Sequence, residues 1–448
     1  MHKYYRASAG RILIFLLTIA MVVALLVLSW RLCVRVATSV TTSADQIEPV
    51  AINLLLDNSM SSFDYTATFD KEISAFMRRW ELKGASFALM RNDSLLYAKG
   101  YGMARDTVQS NATHVFRIAS VSKLITATAV MKLLEAGQLS LSDKVFGAHG
   151  ILNDSMFLDL NSSRMEQITV EHLLRHTSGI TTPIGDPAFS NYSVARALGV
   201  DLPLSVDDMV RYATTCRVRY TPGDRYDYSN LGYIILGKVI EQVSGVDYQS
   251  YVRNEVLAPA GCYDIFLGHN FSANRASNEV DYYEVKEAED VEAYDGSGIM
   301  TMKSNGGNNV TLLGSAGGWV ASPSELLRFV SSINGDGAKE DQLSEESIYL
   351  MSGQDGQTKP IGWSSVSGGV WMRSGSMAGT SALIKRQKDG YTWVFVTNSS
   401  AWIGPYLSNH ISSNISRSLS KVKRWPQRDL FSYEAPVVDS LEVASTFE

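Results

Sequence analysis

The chain has 448 residues, 45% of them hydrophobic, and a net charge of −6 from acidic and basic residues scattered along its length. That is enough apolar material for a large core, and the lack of a basic stripe excludes nucleic acid as a partner. The three cysteines, Cys33, Cys216 and Cys262, form no Cys-x-x-Cys pair, which excludes a zinc ribbon and a disulfide framework; buried thiols at Cys216 and Cys262 are the plainer reading, and their pairing the alternative.

In chain order, the first predicted element is an uncharged apolar run at 12–30. As a helix it spans roughly 28 Å, close to the hydrocarbon thickness of a bilayer. Lys3, Arg6 and Arg11 precede it, the charge pattern of an inside N-terminus with an exported remainder. Trp30, Arg31 and Arg35 separate the run from a small-residue stretch at Thr42-Ser43-Ala44, so an uncleaved signal anchor over 1–35 is favoured over a cleaved, secreted form. Residues 36–62 lack sustained periodicity and read as a linker.

A helix follows at 64–80, with Phe69, Ile73, Phe76 and Met77 on one face. Two apolar runs around Asn92-Asp93 predict a β-hairpin, and a second hairpin is predicted around Lys388-Asp389-Gly390. Between them, apolar spacings of three and four predict helices at 122–136, 170–176, 205–214, 231–243, 248–257 and 322–333. Sheet at both ends and helices in the middle imply an α+β body, one antiparallel sheet flanked by helices with an inserted helical lobe. The body is placed at 63–425, with a tail at 426–448.

Three short motifs carry chemistry. Ser120-Val-Ser-Lys123 opens a helix, where a spacing of three stacks hydroxyl and amine one turn apart and an unprotonated lysine can take the serine proton. The same pattern recurs at 418–421 and 420–423 in what reads as solvated helix, so spacing alone does not single out a nucleophile. In Tyr228-Ser-Asn230, residues two apart in an extended loop face the same way, one to shuttle a proton and one to hold a carbonyl or orient Lys123. Arg373-Ser374-Gly375-Ser376 sits on a predicted strand, where a cation, hydroxyls and a residue without a side chain can line a cleft wall. The N–H groups of Ser120 and Ser376 are candidate oxyanion donors. His172 and His176 lie four apart on a helix but lack a third ligand, so no metal is expected.

The order Ser-x-x-Lys, Tyr-x-Asn, then a basic residue, hydroxyl and glycine resembles the signature of penicillin-recognising serine enzymes. The flanks Phe116-Arg-Ile-Ala-Ser-Val-Ser-Lys, Ile168-Thr-Val-Glu-His-Leu-Leu-Arg-His-Thr-Ser-Gly, Pro222-Gly-Asp-Arg-Tyr-Asp-Tyr-Ser-Asn-Leu-Gly-Tyr and Gly314-Ser-Ala-Gly-Gly-Trp are similar to the class C β-lactamase-related family. That family contains β-lactamases, DD-peptidases, D-aminopeptidases and esterases. The resemblance implies a β-lactamase/transpeptidase-like fold without cofactor. It also implies Ser120 as acylated nucleophile, Lys123 as its proton acceptor or activator, Tyr228 as proton relay, and Asn230, Arg373, Ser374, Gly375 and Ser376 as substrate-binding residues.

Arg373 departs from the family's usual Lys or His. A guanidinium attracts a carboxylate but does not exchange protons, which weakens the case for β-lactam turnover. The expected function is an acyl-enzyme hydrolase of a peptide, D-amino-acid amide or ester, tethered to the membrane through its N-terminal helix with the body outside the cytoplasm. The rival reading is a catalytically silent cell-envelope binding protein on the same fold.

Overall fold

A computed structural model describes residues 49–354 and 359–433; the apolar run at 12–30, the first part of the expected linker and the end of the expected tail lie outside them. No helix among the described residues is long and apolar enough to cross a membrane.

The strands of the main sheet are β1 (Gly84–Arg91), β2 (Ser94–Arg105), β3 (Val108–Gln109), β4 (Ser365–Ser367), β5 (Val370–Met377), β6 (Thr380–Arg386) and β7 (Tyr391–Thr397). They are antiparallel in the order β4-β5-β6-β7-β1-β2-β3, so the first hairpin docks on the last strand, with Phe87 opposite Phe395. Asn92 and Asp93 both have positive φ, 48° and 58°, the handedness a two-residue hairpin turn needs.

Both faces of this sheet are covered, and the side-chain period of two divides each central strand between two cores. Phe87, Leu89, Trp393 and Phe395 face outer helices α1 (Ala67–Arg79) and α6 (Leu407–Leu419), packing with Phe69, Ile73, Ile411 and Ile415. Ala88, Met90, Val394 and Val396 face the inner helices. These are α2 (Ser122–Glu135), α3 (Asn230–Ser244), α4 (Val310–Gly317) and α5 (Pro323–Ser331). Helix α2 is buried without interruption from Ser122 to Met131, as its small and apolar residues on every face allow. It packs against α3 and α4, which places whatever its first turn carries between the helical region and the edge of β5.

The structure corrects both expected ends of the body. Ile52 and Leu56 are core residues, the Ile52 N–H donates to the buried Glu325 carboxylate at 3.2 Å, and Asn58 bonds the backbone of Gly100. The linker reading for 50–62 fails because these apolar residues are too widely spaced to show a period. At the other end Trp425 packs edge-on against Phe69 and Tyr97, and Leu430 and Phe431 are buried, so the body runs past 425. Cys216 and Cys262 are separate buried thiols, and burial pushes Cys216 up to about 11.

Candidate active site

Ser120 lies on a single 3-10 turn, Ala119–Val121, that leads into α2. Ala119 has φ 47°, a left-handed conformation costly for a residue with a Cβ and the kind of local strain that a crowded site maintains. The crowding comes from β5. A Cβ on Gly375 would lie 2.3 Å from the Ile118 carbonyl oxygen and 2.8 Å from the Ser120 nitrogen, so only glycine lets the strand run this close to the turn. Two residues earlier, Arg373 Nε donates to the Ser120 carbonyl at 2.7 Å. Strand β5 therefore holds the serine's backbone twice, by contact and by a charge-assisted hydrogen bond.

Around the Ser120 hydroxyl, Tyr228 Oη is at 2.7 Å and Lys123 Nζ at 3.3 Å. The ammonium is fully buried and also donates to Asn230 Oδ1 at 2.7 Å and to the Ala316 carbonyl at 2.6 Å. That carbonyl is available because Ala316 lies in the last turn of α4, where no further helical N–H follows to take it. Burial, seconded by the Arg373 charge, brings Lys123 down to about 8. For Tyr228 burial alone would raise the phenol, but the Lys123 and Arg373 cations outweigh it and bring it down to about 8. The ring is 43% exposed toward the cavity, while the hydroxyl sits against Ser120 and Lys123.

Ser120, Tyr228, Asn230 and Arg373 line a cavity of about 420 Å³ with Phe189, Tyr226, Leu313, Met377 and Pro405 as apolar walls, and Lys123 lies buried behind them. Ser374 and Ser376 line it too. Strand β4 pairs with Val370–Met372, and among the described residues the edge of β5 from Arg373 onward has no partner strand on that side. A surface cleft of about 790 Å³ near Trp80 and Trp402 is larger, but it contains none of these groups.

Two readings of the third motif change. Arg373 is only 3% exposed and its Nε is occupied by the Ser120 carbonyl, so it tethers the nucleophile's turn; the side chain also borders the cavity, and its Nη2 has no hydrogen-bond partner among the described residues. Gly375 is required by the turn packed on it, not by an approaching substrate. Arg373→Lys keeps a charge but replaces a planar fork with a flexible point donor. Its expected result is a roughly tenfold lower kcat on neutral esters with KM little changed, since loosened reactive groups lose orientation. A wild-type kcat in steady-state assays overturns the tether.

Three contributors escaped the sequence reading. His176, at φ 57°, packs its ring against that of Tyr228 at 4.5 Å, tilted by 36°, and its Nδ1 accepts from the Ser229 N–H at 3.2 Å. Burial and the nearby Lys123 and Arg373 hold it well below its usual range, so it is a neutral support. His172 caps its own helix, accepting from the Thr169 N–H at 3.1 Å. Among the described residues no three His, Cys, Asp or Glu are grouped to hold a metal. Asp186 accepts from Asn230 Nδ2 at 2.5 Å, and the Ala316 carbonyl anchors Lys123. Only Asp186 had a local signal, an Asp-Pro turn start.

The family model described as Beta-lactamase matches residues 69–411. Among curated relatives, Protein flp of Staphylococcus aureus (strain N315) is 29% identical over 201 residues, 44% of this chain and 37% of that protein. The putative penicillin-binding protein PbpX of Bacillus subtilis (strain 168) is 29% identical over 199 residues, 44% of each chain. The matched region thus spans less than half the length of these relatives. Among solved structures, D-amino acid amidase from Ochrobactrum anthropi SV3 superposes with a TM-score of 0.62 at 20% identity, over 81% of this chain and 99% of that one. The octameric penicillin-binding protein homologue from Pyrococcus abyssi gives 0.58 at 23% identity, over 79% and 78%. At such identities the superpositions speak for the fold.

Proposed function

The chain belongs to the beta-lactamase family, and from that premise we propose that it is a serine hydrolase in which Ser120 is acylated by a peptide, D-amino-acid amide or ester. The observation that carries this is the Ser120 hydroxyl held between Tyr228 at 2.7 Å and Lys123 at 3.3 Å. Neutral Lys123, or the Tyr228 phenolate, takes the serine proton as Oγ bonds the carbonyl carbon. Tyr228 then returns a proton to the departing amine or alkoxide, and water, deprotonated by the same groups, releases the acid. The N–H groups of Ser120 and of the open edge of β5 at Ser376 are the proposed oxyanion donors.

The apolar walls support an apolar acyl group. We place the body outside the cytoplasm, tethered by the apolar run at 12–30, on the strength of the basic residues before that run.

Intact-protein mass spectrometry tests the acyl-enzyme. A fluorophosphonate or a slowly released ester adds one adduct mass to the wild type and none to Ser120→Ala. Failure of every such reagent, with penicillin and a D-Ala-D-Ala peptide included, overturns the reading in favour of a binding protein.

A further inference from the structure

Asp186 starts the 3-10 turn Pro187–Phe189, whose Phe189 forms part of the cavity wall. Its Oδ1 accepts from the Ala188 N–H at 3.1 Å, and its Oδ2 accepts from Asn230 Nδ2 at 2.5 Å. Asn230, 9% exposed at the start of α3, gives its Oδ1 to Lys123 Nζ at 2.7 Å. The amide is therefore held between an ammonium, which only donates, and a carboxylate, which only accepts. This pair of partners permits one orientation, oxygen toward Lys123, and a flipped amide would point its N–H groups at the ammonium. Among the described residues Asp186 makes no hydrogen bond to Ser120, Lys123 or Tyr228, so any effect it has on them passes through Asn230 or through its charge.

We propose that Asp186 is a positioning residue that, by fixing the Asn230 amide, sets Lys123 against Ser120 and Tyr228; the catalytic part of this rests on the hydrolase reading above. Asn230 then links Lys123 to the Phe189 turn through its Oδ1 and one N–H of its Nδ2, while the second N–H remains for a substrate in the cavity that Asn230 lines. The groups facing Lys123 are Ser120, Tyr228, Asn230 and the Ala316 carbonyl, with the Tyr233 ring, the Arg373 cation and neutral His176 around them. Asp186 adds a negative charge that favours the ammonium form of Lys123. Removing that charge alone therefore lowers the pH at which Lys123 becomes a base.

Two variants separate orientation from charge. Asp186→Ala removes both, and its expected kcat for a neutral ester falls by about 10- to 100-fold with KM little changed, the scale of a misplaced reacting group. Asp186→Asn keeps an acceptor oxygen, and its expected kcat lies within about threefold of wild type, with the acid limb of the rate profile moved to lower pH. A wild-type kcat in Asp186→Ala, or equal losses in the two variants, overturns the proposal.

A second readout does not need turnover. The lowest-pH phenol ionisation, seen by ultraviolet absorbance and identified by its loss in Tyr228→Phe, is expected to move upward in Asp186→Ala as Lys123 loses its fixed place beside the phenol. An unmoved ionisation overturns the positioning role. If no reagent acylates the wild type yet the ionisation moves, the hydrolase reading fails while the positioning survives.

Discussion

Lys123→Ala is expected to lower the rate of Ser120 acylation by about 10²–10⁴-fold, the range over which a positioned base contributes. No neighbour replaces it: His176 is turned to the Ser229 N–H, Arg373 does not give up its proton, and Tyr228 is acidified by the ammonium that the variant removes. The phenol in the variant therefore returns toward its ordinary range and is less ionised at neutral pH.

The pH profile of the wild type follows from the same burial. Lys123 is protonated below about 8 and cannot accept the serine proton, so acylation is expected to rise with pH through that region. The group loses its proton well before an exposed lysine would, because burial disfavours the charged form. Pre-steady-state labelling of both proteins across that range checks both points. An alanine variant that acylates within tenfold of wild type removes Lys123 from the proposed role.

Gly375→Ala is the second large effect. The added methyl would meet the Ile118 carbonyl oxygen at 2.3 Å, the Ser120 nitrogen at 2.8 Å and the Val121 nitrogen at 3.0 Å, all backbone atoms that no rotamer change can move. Either β5 or the serine's turn must shift, and overpacking of this kind costs about 1–3 kcal/mol. A shift of the turn moves Ser120 off Tyr228 and Lys123, so acylation is expected to fall by about 100-fold. Ser374→Ala removes only a hydroxyl one residue away, and its stability should stay within about 0.5 kcal/mol of wild type. Thermal unfolding and ester turnover of the two variants decide the matter: a Gly375→Ala protein with wild-type Tm and kcat refutes the close crossing.

Local patterning made much of this protein legible. The Asn92-Asp93 turn, the helical spacing after Ser120 and the hairpin around Lys388-Asp389-Gly390 are set by residues adjacent in sequence, and the structure has β-hairpins and helices there. The three motifs likewise mark which side chains meet. What they do once together was misread where the deciding partner is distant. Arg373 was read as a substrate cation alone because nothing near it in sequence competes for its guanidinium, and the tether that its Nε makes runs to the carbonyl of Ser120, 253 residues away. Gly375 looked like room for a ligand because the turn that fills that room belongs to the other end of the body.

The ends of the body were misplaced for a related reason. Ile52, Leu56 and Trp425 bury themselves singly against surfaces already built, which leaves no period to detect. By itself, then, the sequence determined many of the elements, though not helix α4, together with the α+β class and the identity of Ser120, Lys123, Tyr228 and Asn230 as a group, because propensity, turn geometry and motif spacing are properties of neighbouring residues. Only the tertiary structure decided that Arg373 tethers a turn, that His176 backs Tyr228 and that Asp186 reaches Lys123 through Asn230. Hydrogen bonds and steric contacts between remote segments are chosen by packing, and packing leaves no local trace in the chain.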